Sequence, residues 1–317
     1  MMKLIKNELL KIFKRKNIYV LLFLALVIIS GYSIFTKLVS QDIDIKEQYE
    51  KAYKNDALIL ENYENLNTKE LYENVIERIA LEKYAIENKI EYNILLNSQN
   101  RNVPLPADAR FLIMKVFDYF DIAIIFIIIY LSSTILSEEY NSGTIKTLLI
   151  KPYKRITILT SKIITSLVVT ILIVMAIIIL QYLIGGILFG FDSYKLEAIR
   201  YNPVTKDIVT MNLGSYMIMI ILSKMPMYIL LTLTSLLFGV ITNNIALNIL
   251  ISLGLYIIST FDILINNFSK FLFIFNWDIT KYMFIGLKIP ILNSVISAIF
   301  ITIILIYIFN NKDIRNE

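Results

Sequence analysis

The stretch IITSLVVTILIVMAIIILQYLIGGILFGF, residues 163–191, decides the fold class of this chain. It contains no charged side chain and exceeds the roughly 20 residues that an α-helix needs to cross a bilayer. Three other charge-free runs are of similar length: residues 17–36, 225–261 and 289–311. A membrane barrel would show alternating segments of about ten residues instead. Helical spans are therefore predicted, because lipid cannot satisfy exposed backbone groups.

The composition assigns the whole chain to the integral membrane proteins. Of its 317 residues, 57% are hydrophobic and the mean hydropathy is +0.65, more apolar side chain than one soluble core could bury. The absence of cysteine and histidine excludes thiolate nucleophiles, imidazole bases, disulfides and the usual zinc ligand sets, and no catalytic or metal site is predicted. The net charge of +5 comes from basic residues flanking the apolar runs, so nucleic acid is not an expected partner.

The apolar runs predict an all-α membrane protein with six transmembrane helices. The predicted spans are residues 17–37, 116–136, 163–190, 213–241, 245–265 and 289–310. The segments between and after them are an extracytoplasmic segment at 38–115, a loop at 137–162, an outer loop at 191–212, an outer or re-entrant hairpin at 266–288 and a tail at 311–317. The aromatic residues of the hairpin favour the membrane boundary.

The first sixteen residues form a predicted amphipathic helix on the inner leaflet. Six of them are basic, and the apolar positions recur at helical spacing: Met2, Ile5, Leu9, Ile12 and Phe13. A secretory signal peptide is the alternative, but the following apolar run is long and lacks an Ala-x-Ala-like cleavage site.

The segment 38–115 mixes acidic and basic residues in alternating sign, which is typical of solvated helix faces. Apolar residues near helical spacing predict a helical hairpin or stalk, and the sequence Val-Pro-Leu-Pro at 103–106 ends it. This segment is long enough to be exempt from the rule that places basic residues inside the cell. Among the short loops, the basic residues predict that both termini and the loop 137–162 are cytoplasmic.

The loop 137–162 contains a predicted short helix. Asn141, Ser142 and Gly143 favour a turn or helix start, residues 144–150 can form two helical turns, and Pro152 prevents continuation. The helix has an apolar face and charged sides, formed by Ile145, Leu148 and Leu149 and by Lys146, Lys151, Lys154 and Arg155 respectively. Such a helix can insert into a groove of a soluble partner or lie among lipid headgroups, and these residues alone favour neither.

The loop resembles the permeases of ABC-2 type transporters. The resemblance rests on Glu138, Glu139, Gly143, Thr144, Ile145, Lys146, Leu148, Leu149, Pro152, Arg155, Ser161 and Lys162. It extends to the basic N-terminal helix, the six spans and the large outer segment. In that family this loop forms a coupling helix that docks into a separate ATP-hydrolysing subunit, so the resemblance implies that these residues, from Glu138 to Arg155, couple to an ATPase.

The resemblance also implies a partner set and a location. It implies pairing with itself or a related permease, a bacterial plasma membrane, and export of a lipidic, polysaccharide, peptide or drug substrate. An amphipathic peptide is the preferred class, because the outer segment can screen a lateral exit. ATP and Mg²⁺ are expected on the partner ATPase, since no Gly-rich phosphate loop ending in Gly-Lys-Ser/Thr occurs here.

Two alternatives from other classes are considered. Adjacent glutamates near a membrane helix also occur in intramembrane proteases that process prenylated proteins, but those have an arginine where Gly143 stands and histidines on later helices. A non-transporting membrane scaffold or sensor, which binds a partner through its charged outer segment, is the second hypothesis.

Three charged residues within or beside the spans are candidate pathway residues. Asp118 and Asp121 lie in the outer first turns of span two, and Lys224 lies within span four near Pro226. Ionised groups at depth are expensive and usually face protein or water, so these side chains are predicted to line a vestibule and contact substrate or each other. The simpler interpretation, which the sequence favours, is that the aspartates lie at the headgroups and Lys224 extends to the interface.

Overall fold

The computed structural model describes residues 1–40, 45–62, 69–89, 120–150, 152–191, 197–201, 205–260, 279 and 288–312. Within these ranges the chain is mainly helical. The helices are α1 (Met2–Phe13), α2 (Lys16–Ser40), α3 (Ile45–Asn62), α4 (Lys69–Glu87), α5 (Asp121–Asn141), α6 (Thr144–Leu149), α7 (Arg155–Phe189), α8 (Leu213–Thr242), α9 (Ile245–Thr260) and α10 (Lys288–Asn311). Two strands, β1 (Glu197–Tyr201) and β2 (Ile208–Asn212), precede α8.

Five of these helices are long and apolar enough to cross a membrane: α2, α5, α7, α8 and α10. The expected class, an all-α membrane protein, agrees with this finding. The helix at the position of the predicted fifth span, α9, is apolar but shorter. Residues 116–119 and 261–265 of the predicted spans lie outside the described residues, as does almost all of the predicted hairpin at 266–288.

Some helices are longer than the predicted spans. Residues 137–141 of α5 and residues 155–162 of α7 belong to the segment 137–162 that was predicted as a loop. Glu138 and Glu139 therefore lie on a helix, and only a short stretch around α6 separates α5 from α7. The charged residues at these ends, Glu138 and Glu139 in α5 and Arg155 and Lys162 in α7, are good helix formers outside the apolar run.

One compact unit comprises residues 1–27, 117–179 and 219–317. Within it, Asn248 of α9 is fully buried and joins three helices. Its side-chain amide donates to Ser137 Oγ of α5 at 3.1 Å and to the backbone oxygen of Ser235 of α8 at 2.9 Å, while Ser252 donates to Asn248 Oδ1. Gly239 of α8 lies at the same junction and lets the helices approach closely.

The second unit comprises residues 28–116 and 180–218. Its helices α3 and α4 pack together, and Arg78 binds both carboxylate oxygens of Asp56 at 2.7 and 2.9 Å. The strands β1 and β2 pair antiparallel, and Leu81 of α4 packs with Ile199 and Tyr201 of β1. A loop was predicted at residues 191–212, where the structure has these two strands, because two five-residue strands give only a weak alternating pattern.

We predict that Gly239→Val destabilises the junction of α5, α8 and α9. A Cβ at residue 239 would lie 3.1 Å from Ser137 Oγ and 3.2 Å from Asn248 Nδ2, and the two further methyl groups of valine need more room. Overpacking of this kind costs about 1–3 kcal/mol. Gly254→Val is the matched control, since nothing lies within 4 Å of a Cβ there. Equal thermal midpoints of the two variants in detergent would contradict the prediction.

Candidate functional site

The turn between α5 and α6 requires a glycine. Helix α5 ends at Asn141, and the amide of Gly143 donates to the backbone oxygen of Tyr140 at 3.1 Å. Gly143 has a φ of +69°, in the left-handed region that residues with a Cβ rarely adopt. The hydroxyl of Ser142 donates to the backbone oxygen of Glu138 at 2.7 Å. These contacts stop α5 sharply and set the direction in which α6 begins.

Helix α6 is short, and its described side chains are exposed except for Ile145. Ile145 was predicted to belong to a face presented to a partner, but it is only 2% exposed and is packed within its own chain. Thr144, Lys146 and Thr147 are exposed, and Ile150 just after the helix is 83% exposed. Leu148 and Leu149 lie in α6, but their side chains are outside the described residues.

Four charges form a closed ring beside this turn, which we call the ion-pair ring. Glu8 of α1, Glu139 of α5 and Lys162 of α7 are buried, and the side chain of Lys11 of α1 is 49% exposed. The ammonium group of Lys11 lies 2.9 Å from both Glu8 Oε1 and Glu139 Oε1. The ammonium group of Lys162 lies 3.0 Å from Glu8 Oε2 and 2.7 Å from Glu139 Oε2. Each carboxylate therefore lies between two cations, and the ring carries no net charge.

The buried members of the ion-pair ring, Glu8, Glu139 and Lys162, join α1, α5 and α7. Lys162 is fully buried, and its ammonium group also donates to the backbone oxygen of Ile135 at 3.3 Å. Burial alone raises the pKa of Glu8, but the charge of Lys162 and the hydrogen bond from Lys11 lower it below the ordinary value of 4.5. Burial likewise lowers the pKa of Lys11, but the hydrogen bond to Glu139 raises it above 10.5. Both groups are thus held in their charged forms.

Further contacts join the ends of the stretch around α6 to other helices. Arg15, at the end of α1, forms an ion pair with Glu138 of α5. Arg155, the first residue of α7, donates to the backbone oxygens of Asn310 and Lys312 at the end of α10, at 3.1 and 3.2 Å. A cationic side chain is favourable there because the last carbonyl groups of a helix are otherwise unpaired. Pro152 is exposed between α6 and α7.

A second buried ion pair joins α5 to α8. Lys224 Nζ lies 2.8 Å from Asp121 Oδ2, and the hydroxyl of Tyr228 donates to Asp121 Oδ1 at 2.6 Å. All three residues are buried. The structure thus brings two of the three candidate pathway residues together, and Asp118 lies outside the described residues. Because Lys224 pairs with Asp121 inside the protein, it does not extend to the membrane surface, which the sequence analysis had favoured.

The sequence analysis did not identify Glu8 or Tyr228 as site residues. Glu8 is the only acidic residue among the first sixteen, and it stands four residues before Ile12, the other buried residue of α1. A single carboxylate on the buried face of a basic helix predicts a cationic partner, because a buried charge has to be paired. Tyr228 stands four residues after Lys224, on the same helix face, which was the available signal. Among the described residues no group of acidic side chains could hold a metal ion.

Five helices that are long and apolar enough to cross a membrane define a multi-pass membrane protein. A short helix, α6, follows α5, whose end is joined to α1 and α7 by buried ion pairs. The model of a protein family described as "ABC-2 family transporter protein" matches residues 2–274. The chain therefore belongs to the ABC-2 transporter family, and it is a membrane permease of an ABC transporter, not itself the catalytic subunit. The family implies pairing with an ABC ATPase. No curated protein and no solved structure matched the chain.

We predict that Lys162→Met weakens the packing of α1 on α5 and α7, because it removes the buried one of the two cations that Glu8 and Glu139 share. Removing one partner of a buried pair costs about 3–5 kcal/mol. The double variant Glu8→Gln with Lys162→Met keeps one cation and one carboxylate and should lose less than the sum of the single variants. The free energy of unfolding in mixed detergent measures both effects.

The matched control is Lys51→Gln, which breaks the exposed pair of Lys51 with Glu47 on α3. Exposed pairs contribute little, so this variant should unfold like the wild type. Additivity of the two ring substitutions, or an equal loss in the control, would contradict the role of the ring.

We predict that the thermal midpoint changes little with pH in the neutral range and decreases in acid. The lowered pKa of Glu8 contributes stability that is complete above pH 4.5 and is lost as the pH falls through the folded-state pKa. The raised pKa of Lys11 contributes stability that is complete below pH 10.5 and is lost at higher pH. Midpoints measured from about pH 3 to pH 7 should decrease less steeply in Glu8→Gln. Equal acid slopes in both proteins would disprove this assignment.

Proposed function

We propose that this chain is the permease subunit of an ATP-driven exporter, and that α6 receives the movement of a separate ATPase subunit. The observation that supports this most is how α6 is attached to the rest of the chain. Its exposed side chains, among them Thr144 and Lys146, project from a helix that is anchored by Ile145 and preceded by the fixed turn at Gly143. A short helix with one exposed side and one side packed against its own chain can pass a displacement on to the helices connected to it.

The ion-pair ring determines which helices respond to that push. Because α6 is connected directly to α5 and closely to α7, a displacement of α6 acts on both helices. Glu139 and Lys162 hold these two helices to each other and to α1. The three helices therefore move together. The ring prevents α5 and α7 from shifting independently when the ATPase displaces α6. Glu139 thus acts within the chain and not as a contact to the ATPase.

The transport pathway is proposed to form with a second permease, either a copy of this chain or a related one. The buried pair of Asp121 and Lys224 lies on two membrane helices, and its separation and re-formation would accompany opening. The proposed topology has six spans, with α9 completing the fifth, and both termini in the cytoplasm. The proposed location is a bacterial plasma membrane, and an amphipathic peptide remains the preferred substrate class over lipids, polysaccharides or drugs.

A membrane scaffold or sensor is the second candidate function. One observation favours it: α3, α4 and the β1–β2 hairpin pack around Leu81 and Ile199 within one unit, which can present a binding surface. An ATPase that binds α6 would distinguish the two candidates, because a scaffold needs no such partner.

We predict that Ile150→Asp impairs binding of the ATPase. Among the described residues near α6 this apolar side chain is the most exposed, at 83%. A buried carboxylate in its place would lose at least about tenfold in affinity, or 1.4 kcal/mol. The measurement is copurification in mild detergent with a phosphate-loop ATPase of the same host cell, together with the stimulation of its ATP hydrolysis.

The matched control is Leu58→Asp on α3, where the replaced side chain is 55% exposed and lies in the other unit. It should leave ATPase binding unchanged. If both variants bind equally well, α6 is not the docking element; if no ATPase copurifies with the wild type, the scaffold function is favoured.

A further inference from the structure

A cavity with both polar and apolar lining lies beside the junction of α1 and α2. Its volume is about 340 Å³, and it belongs to the same unit as the ion-pair ring. Its polar lining comes from the α1–α2 junction and from α5, namely Arg15, Lys16, Asn17, Tyr130, Thr134 and Glu138. The position of this lining on the chain is informative, since Lys16 is the first residue of the first membrane helix. The cavity therefore lies where lipid headgroups meet the protein.

The charge of the lining is positive. Arg15 and Glu138 form an ion pair and neutralise each other. Lys16 is exposed, and in the part of the chain that the structure describes no carboxylate pairs with it. One cationic group is therefore left to bind an anion from the cavity.

The uncharged polar groups add a donor next to this cation. Asn17 Nδ2 donates to the hydroxyl of Tyr130 at 2.9 Å, so the phenol oxygen is fixed and its own hydrogen is left for an acceptor. Thr134 uses its hydrogen on the backbone oxygen of Leu131. An ammonium group and a phenol hydroxyl facing one cavity suit the oxygens of a phosphate group.

An apolar surface leads away from the cavity along α2. Asn17 lies on the same face of α2 as Val20, Leu24 and Val27, because these positions are three, seven and ten residues further on. The three apolar side chains are 55%, 50% and 47% exposed. A free phosphate would make no use of this surface, whereas the acyl chains of a lipid would cover it.

We propose that this cavity binds the phosphate group of an anionic phospholipid, with Lys16 and Tyr130 as its ligands and the acyl chains along α2. The bound lipid joins α2 to α5 at the membrane boundary. This proposal does not depend on an ATPase binding to α6. With the N-terminus in the cytoplasm, as proposed above, the cavity faces the leaflet in which anionic lipids attract basic residues.

The test measures lipid binding to the full-length protein. Native mass spectrometry of protein titrated with phosphatidylglycerol or with phosphatidylcholine in detergent gives the two affinities. We expect phosphatidylglycerol to bind about tenfold more tightly, Lys16→Glu to lose about tenfold, and Tyr130→Phe to lose about threefold. Elution volume on a sizing column checks that each variant is folded, and Tyr130→Phe provides a second test because it changes only one hydroxyl.

Lys14→Glu is the matched control, since it makes the same change of charge two residues away on an exposed position outside the cavity. It should retain phosphatidylglycerol. An equal loss in Lys14→Glu would show attraction to the whole basic surface and overturn the site. Equal binding of phosphatidylcholine would also overturn it. Displacement of the lipid by millimolar inorganic phosphate would assign the cavity to a free anion and not to a lipid.

Discussion

The fully buried ammonium group of Lys162 is the constraint on which the arrangement around α6 depends. A cation that has left water must be paired, and its carboxylate partners have to come from other elements. Glu139 supplies one from α5 and Glu8 supplies the other from α1. Lys11 then balances the second carboxylate charge. The requirement for neutrality therefore fixes three helices against one another, and the short stretch that holds α6 begins and ends on two of them.

The same need to pair buried polar groups explains how the apolar helices are aligned against one another. Lipid is as apolar as leucine, so burying apolar side chains against each other gives little force between membrane helices. Polar contacts and close approach determine the packing instead. Asp121 and Lys224 align α5 with α8, and Asn248 joins α9 to both at the site where Gly239 allows close contact. The polar side chains inside the apolar runs thus determine which helices pack together, whereas the runs themselves determine only that helices form.

The sequence predicted the class of fold and the separate elements but not their contacts. A charge-free run such as residues 163–191 is sufficient to predict α7, and Gly143 with Pro152 is sufficient to predict a short helix between turns. The pairing of Glu8 with Lys162 joins residues far apart in the chain, so it depends on helix packing that no local pattern encodes. Ile145 shows the same limit: spacing placed it on an apolar face, but only the tertiary structure shows that this side chain is buried.

The C-terminal end of α5 connects the separate sites of this protein. Adjacent residues on a helix point about 100° apart, so Glu138 and Glu139 contact different neighbours. Glu138 meets Arg15 at the wall of the cavity, and Glu139 closes the ion-pair ring. The helix then ends within one turn, where Gly143 leads into α6. A displacement of α6 therefore acts on both glutamates. A lipid phosphate bound in the cavity would oppose the movement of Glu138 and of its partner Arg15. In the proposed function this helix end receives the work of ATP hydrolysis, and the proposed lipid binds beside it.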